Sequence, residues 1–115
     1  MSKYKSTKAI RNGIVFDSQK EARRYDELML LVCAGEIKDL KLQPEYTLQE
    51  AFKTPLGAPV RAIRYRADFS YMKRVKDGSE ARWKPVVEDV KGYRTNEYEI
   101  KRKLMLGRGI QVVEI

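Results

Sequence analysis

The chain contains no histidine and one cysteine, Cys33, so any chemistry it performs is done without imidazole or an internal disulfide. Carboxylates, lysines, hydroxyls and whatever hard metal ion they hold remain. Two stretches bring such groups to useful spacing. In Arg64-Tyr65-Arg66-Ala67-Asp68-Phe69-Ser70-Tyr71 the odd positions are apolar or aromatic and the even ones polar. A strand with that alternation buries one face and presents Asp68 on the other. In Val86-Val87-Glu88-Asp89-Val90-Lys91, Asp89 and Lys91 share a face, opposite Glu88 and Val90. Taken alone, either stretch is explained as solvated strand charges, with Arg66 or Lys91 as ion-pair partner.

Asp77-Gly78-Ser79 joins the two stretches as a hairpin. A four-residue loop from Asp77 to Glu80 sets Asp68 directly across from Asp89. A two-residue Asp77-Gly78 turn makes them diagonal neighbours at about 7–8 Å, and a three-residue loop brings in Glu88 instead. Both even-length loops put two carboxylates on one face, where they repel unless a cation lies between them. A hard divalent ion with oxygen ligands, Mg²⁺ or Mn²⁺, fits that need. Such an ion polarises a phosphodiester and lowers the pKa of a bound water, while Lys91 orients that water or stabilises the developing oxyanion. Glu21 is a third carboxylate of interest. Its place three residues after Ser18 gives it a capping-box role at a helix entrance, and a role at the metal site is open beside it.

The elements that position these groups read as follows. Asn12-Gly13 is a turn signal before Ile14-Val15-Phe16, and a first helix runs from about Gln19 to Ala34 with Ser18 as N-cap. Ala22, Tyr25, Leu28, Met29 and Val32 form its core stripe, Cys33 packs inside, and Gly35 ends it. Strands are expected over Ile37–Leu42, Tyr46–Phe52, Val60–Arg74 and Arg82–Lys91, with Trp83 and Tyr71 as an aromatic pair in the hairpin core. A second helix from Asn96 to Leu106, capped by Asn96 with Glu99 and stopped by Gly107, precedes a last strand over Gln111–Ile115. The expected fold is α/β: one central mixed sheet of about five strands flanked by two helices. Residues 1–16 form a basic arm with a first short strand, and 17–115 a single domain.

Charge narrows the partner. The net charge is +8 over 115 residues, and residues 58–115 carry fourteen basic groups against eight acidic ones. Lys3, Lys5, Lys8 and Arg11 all precede the first acidic residue, Asp17, as an arm suited to a phosphate backbone. A pI near 9.6 without a bulky amphipathic stripe favours nucleic acid over a membrane surface. The run Leu28–Ala34 is too short to cross a bilayer and no signal-peptide pattern follows Met1, so a soluble, cytoplasmic protein is expected.

Asp68, Asp89-Val90-Lys91 and the Phe16-Asp17-Ser18-Gln19-Lys20-Glu21 helix entrance together resemble the PD-(D/E)xK nuclease superfamily. The chain is similar to its small phage-encoded, Holliday-junction-resolvase-like endonucleases, with Ala67 in place of the nominal proline before Asp68. The resemblance covers nearly the whole chain, also taking in Leu42-Gln43-Pro44 and Gly92. It implies a restriction-endonuclease-like core and metal-dependent cutting of DNA that leaves 5′-phosphate and 3′-hydroxyl ends. It also implies a homodimer acting on branched or junction DNA. The implied ion is bound by Asp68, Asp89 and the Val90 carbonyl, with Glu21 completing the site and Lys91 serving the attacking water. Gln43 is a minor candidate, and Arg64, Arg66, Tyr93, Arg94, Lys101 and Lys103 are the expected DNA contacts. The bland reading of Lys101–Lys103 is a solvated helix face paired with Glu97 and Glu99. The alternative for the whole chain is a non-catalytic basic nucleic-acid-binding protein whose acidic pair is structural.

Overall fold

Asn12 and Gly13 both adopt positive φ, 51° and 77°, as a two-residue turn between right-twisted strands demands. The turn joins β1 (Ala9–Arg11) to β2 (Ile14–Phe16) as an antiparallel hairpin, in a computed structural model that describes residues 7–78, 80–90 and 94–115. β1 lies in the segment expected to be a free arm. Arg11 is held there by Asp26 at 2.9 Å, while Lys3 and Lys5 fall outside the described residues.

Ser18 then opens α1 (Gln19–Cys33), its Oγ accepting from the Glu21 N–H at 3.1 Å. Gly35, with φ 75°, provides the left-handed exit. The buried stripe is Ala22, Tyr25 and Leu28, joined at its margin by Met29 and Val32. Cys33 is exposed rather than packed inside, being the last residue of α1.

Next come β3 (Ile37–Leu42), β4 (Glu45–Gln49), β5 (Phe52–Lys53), β6 (Pro59–Val60), β7 (Ile63–Arg66), β8 (Phe69–Asp77), β9 (Glu80–Asp89), α2 (Asn96–Gly107) and β10 (Val112–Glu114). The central sheet has four strands in the order β10-β9-β8-β3, mixed because β10 runs parallel to β9 while the other pairs are antiparallel. This is the expected α/β class with one strand fewer. The strand expected over Val60–Arg74 is three pieces, since β7 leaves the central sheet to pair with β4, and β6 pairs with β5.

The break at Ala67-Asp68 decides the packing. Tyr65 and Ala67 lie in one core with Leu48, Val87, Tyr98, Met105 and Val112, on the α2 side. Phe69 and Tyr71 lie in the other, with Phe16, Ala22, Tyr25 and Leu28, on the α1 side. The alternation of apolar residues continues unbroken through the stretch, yet it serves two different layers. Full burial of Phe69, Leu28 and Met105 contributes about 1.5–3 kcal/mol each. α2 is capped by Thr95, whose Oγ accepts from the Tyr98 N–H at 3.0 Å, one residue before the expected cap, and Gly107 lies inside the helix with Arg108 as its C-cap. No helix among the described residues is long and apolar enough to cross a membrane.

Candidate active site

The β8–β9 ladder pairs Asp77 with Glu80 and runs without a slip to Phe69 opposite Glu88. The Asp77–Glu80 register is the one a four-residue loop predicts, but pairing stops at Phe69, and Asp68 stands at a bend just beyond it with its carboxyl near that of Asp89. Glu88 thereby turns to the opposite face. Asp68 is fixed at every polar atom of its backbone. Its N–H donates to the Glu88 carbonyl at 3.1 Å, and its carbonyl accepts from the Gln43 N–H at 2.9 Å. Its Oδ2 accepts from the Val90 N–H at 2.7 Å. Asp89 is buried, its Oδ2 accepting from the Tyr65 hydroxyl and its carbonyl from the Ile115 N–H at 3.0 Å.

α1 brings the third carboxylate. Glu21 stands in the first turn and is only 7% exposed, so its backbone serves the helix cap while its carboxyl group is turned inward. Asp17, Glu21, Arg66, Asp68 and Asp89, together with Lys20, Gln43 and Val90, line one cleft of about 490 Å³. The helix N-terminus points its partial positive charge toward the same region.

The electrostatics of this cleft are those of acids crowded together in a place with little water. Burial, resisted by the Val90 hydrogen bond and reinforced by Asp89 and Glu21, pushes the Asp68 carboxyl up to about 7. Burial and then the negative charges of Asp17 and Asp89 also raise Glu21, with Arg66 opposing them. The Tyr65 phenol is raised first by burial and then by its bond to Asp89, so it stays a donor. An all-oxygen donor set whose members resist ionising together fits a hard divalent cation. Among the described residues no three acidic side chains are gathered tightly enough to form a ready-made cage.

Glu88 shows the contrary arrangement. It is fully buried on the α1 side, gripped by Arg24 through Nε at 2.8 Å and Nη2 at 2.6 Å, and its Oε2 also accepts from the Tyr71 hydroxyl. The bond to Glu88 raises the Arg24 guanidinium, and Tyr71 is pushed up to about 12 by burial and by Glu88.

The expected nucleic-acid contacts divide. Arg66 lines the cleft. Arg64 faces Glu45 at 3.6 Å, Arg94 is held by Glu114 at 2.6 Å and Glu99 at 3.4 Å, and Lys101 by Glu97 at 2.9 Å. Lys103 is exposed, and Lys91 and Tyr93 lie outside the described residues. The expected aromatic pair is absent: Tyr71 faces Val86, and Trp83 is opposite Arg74 with the Lys38 ammonium 4.3 Å from its ring centroid. Sequence reasoning passed over Lys20 and Asp17 as lining groups and Tyr65 as the donor to Asp89. For Tyr65 the signal was present, since an inward tyrosine needs a partner for its hydroxyl.

A family described as a protein of unknown function, DUF1064, matches residues 1–113. The chain belongs to the DUF1064 family. No curated protein and no solved structure matches it. For a DUF1064 chain the residues of the cleft are therefore the available guide to chemistry.

Proposed function

We propose that this DUF1064 protein is a metal-dependent DNA endonuclease, structure-selective for branched or junction DNA and working as a homodimer in phage DNA recombination. The observation that carries the reading is the convergence of Asp68, Asp89 and Glu21 on one cleft, with the Asp68 carboxyl raised first by burial and then by its acidic neighbours. Mg²⁺ or Mn²⁺ bound by Asp68, Asp89 and the Val90 carbonyl, with Glu21, would supply Lewis-acid activation of a phosphodiester and of water. The chain's own groups do the rest. Arg66 and the N-terminus of α1 receive the phosphate, and Tyr65 holds Asp89 in orientation. Lys91 is assigned to the attacking water on the strength of the Asp89-Val90-Lys91 pattern.

Dimerisation is supported by apolar groups left at one edge of the molecule. Ile100 and Leu104 stand one turn apart on the outside of α2, both exposed. The cytoplasm of a bacterial host is the location this reading implies. One observation favours a second reading, a non-catalytic DNA-binding protein with a structural acidic pair. Asp68 and Asp89 each already accept a hydrogen bond from the protein itself.

The test is cleavage of four-way junction, flap and linear duplex DNA by the purified protein in Mg²⁺, Mn²⁺ or EDTA, beside Asp89→Ala. Metal-dependent cutting that the variant loses is expected, with paired symmetric nicks in the junction. Binding without cutting on every substrate selects the second reading.

A further inference from the structure

The outer half of the β8–β9 hairpin carries a charge pattern the cleft does not explain. Between Lys73 and Lys84 the chain has five cations, Lys73, Arg74, Lys76, Arg82 and Lys84. The ladder sorts them by face. Lys73 sits directly opposite Lys84, and Val75 opposite Arg82, on the side of Tyr71 and Glu88. Arg74 sits opposite Trp83, and Lys76 opposite Ala81, on the other side, where Lys38 also reaches the Trp83 ring. Like charges facing each other across a ladder are destabilising. Among the described residues none of Lys73, Arg74, Lys76 and Lys84 takes part in an ion pair, whereas Lys101 and Arg102 on α2 and Arg94 just before it are all engaged by acids. Trp83, the single tryptophan of the chain, is 36% exposed in the midst of these charges.

We propose that this outer hairpin is a DNA-gripping ribbon that lies in the major groove of a duplex arm, cations of its two faces reaching the two phosphate walls. The argument is geometric. An anionic surface that is flat, such as a membrane, recruits cations from one face of a ribbon and leaves the other wasted. A groove bounded by phosphates on both sides recruits both faces, and the major groove, about 12 Å wide, admits a two-stranded ribbon. Reach agrees as well. Asp68 and Arg74 are six residues apart, about 20 Å at ~3.3 Å per residue. That corresponds to about six nucleotides of one strand at 3.4 Å each, so a duplex held by the ribbon can extend to the cleft. Trp83 and its cationic neighbours add a flat apolar contact beside the backbone. The ribbon rests on the nucleic-acid part of the proposed function and is independent of cutting.

The test is equilibrium binding of the full chain to a labelled linear duplex in EDTA, where cleavage plays no part, over a series of salt concentrations. Lys73→Ala with Lys84→Ala removes one face and Arg74→Ala with Lys76→Ala the other. Each double variant is expected to weaken binding at least tenfold and to reduce the slope of log affinity against log salt by about 1.8, at about 0.9 for each phosphate contact. Lys53→Ala with Arg61→Ala, exposed cations elsewhere, should leave the slope unchanged. On the unaltered protein, Trp83 emission should be quenched as duplex is added and recover with salt. Unchanged slopes in both ribbon variants, a loss confined to one face, or unaltered Trp83 emission at saturating duplex would each overturn the proposal. A protein that binds in this way and never cuts would refute the nuclease reading and leave the ribbon standing.

Discussion

Glu88 and Asp89 are neighbours in sequence and opposites in circumstance. Strand alternation sends Glu88 to the α1 side, where Arg24 and Tyr71 supply charge and hydrogen bonds for both of its oxygens. It sends Asp89 to the cleft, where it accepts from the Tyr65 hydroxyl and the nearby charges include two further carboxylates. A buried acid whose compensation is built into the protein serves the fold. A buried acid set beside other acids is costly to ionise, and under the proposed function that cost is what a bound cation would offset.

The sharpest way to break this comparison is to exchange the fates of the two residues. Asp89→Asn should abolish metal-dependent cutting while the urea midpoint stays level or rises. Glu88→Ala should instead destabilise the protein by about 1–3 kcal/mol in urea unfolding, because it leaves the buried Tyr71 hydroxyl without its acceptor and half-buried Arg24 with only the exposed Glu27. If both variants lost activity and stability alike, the distinction between the two faces would fail. A second test uses pH. Asp68 is raised to about 7 in the folded protein from an ordinary value of 3.8. The stability this gives is complete below the unfolded value and is lost as pH rises through about 7. Thermal scans in EDTA should therefore show the Asp68 contribution fading over that interval, and Mg²⁺ should raise the midpoint most at the alkaline end. A flat difference between Mg²⁺ and EDTA across the interval would count against a cation at Asp68. Smaller is Tyr65→Phe, which frees the Asp89 carboxylate and should weaken Mg²⁺ binding by about tenfold in titration calorimetry. Smallest is Ser18→Ala, expected to cost about 1 kcal/mol in urea unfolding through the lost cap.

Local signals made much of this architecture legible. Asn12-Gly13 specified its turn and Ser18 its cap, and the hairpin arithmetic around Asp77 held the observed Asp77–Glu80 register as one of three open choices. Each is a decision taken within a few residues. The break at Ala67-Asp68 was not legible, because a period of two looks the same whether a strand stays in one layer or passes into another. Thr95 and Asn96 are adjacent residues of capping type, and the sequence offers little to choose between them. The contact of Trp83 with Lys38, and the sorting of the hairpin cations by face, depend on pairing partners distant in the chain. Lys101 and Arg94 look like phosphate ligands in sequence, and in the structure each is ion-paired, Lys101 with Glu97 as its spacing also allowed and Arg94 with Glu114 from a distant strand.

The crossing at Asp68 ties the cleft to both cores. Tyr65, just before it, belongs to the core under α2, and Phe69, just after it, to the core under α1. Loosening of either core takes away a support of the acidic pair: Tyr65 from Asp89, or the strand that fixes Asp68. The cleft is thus an interlock that closes only when both layers are in place.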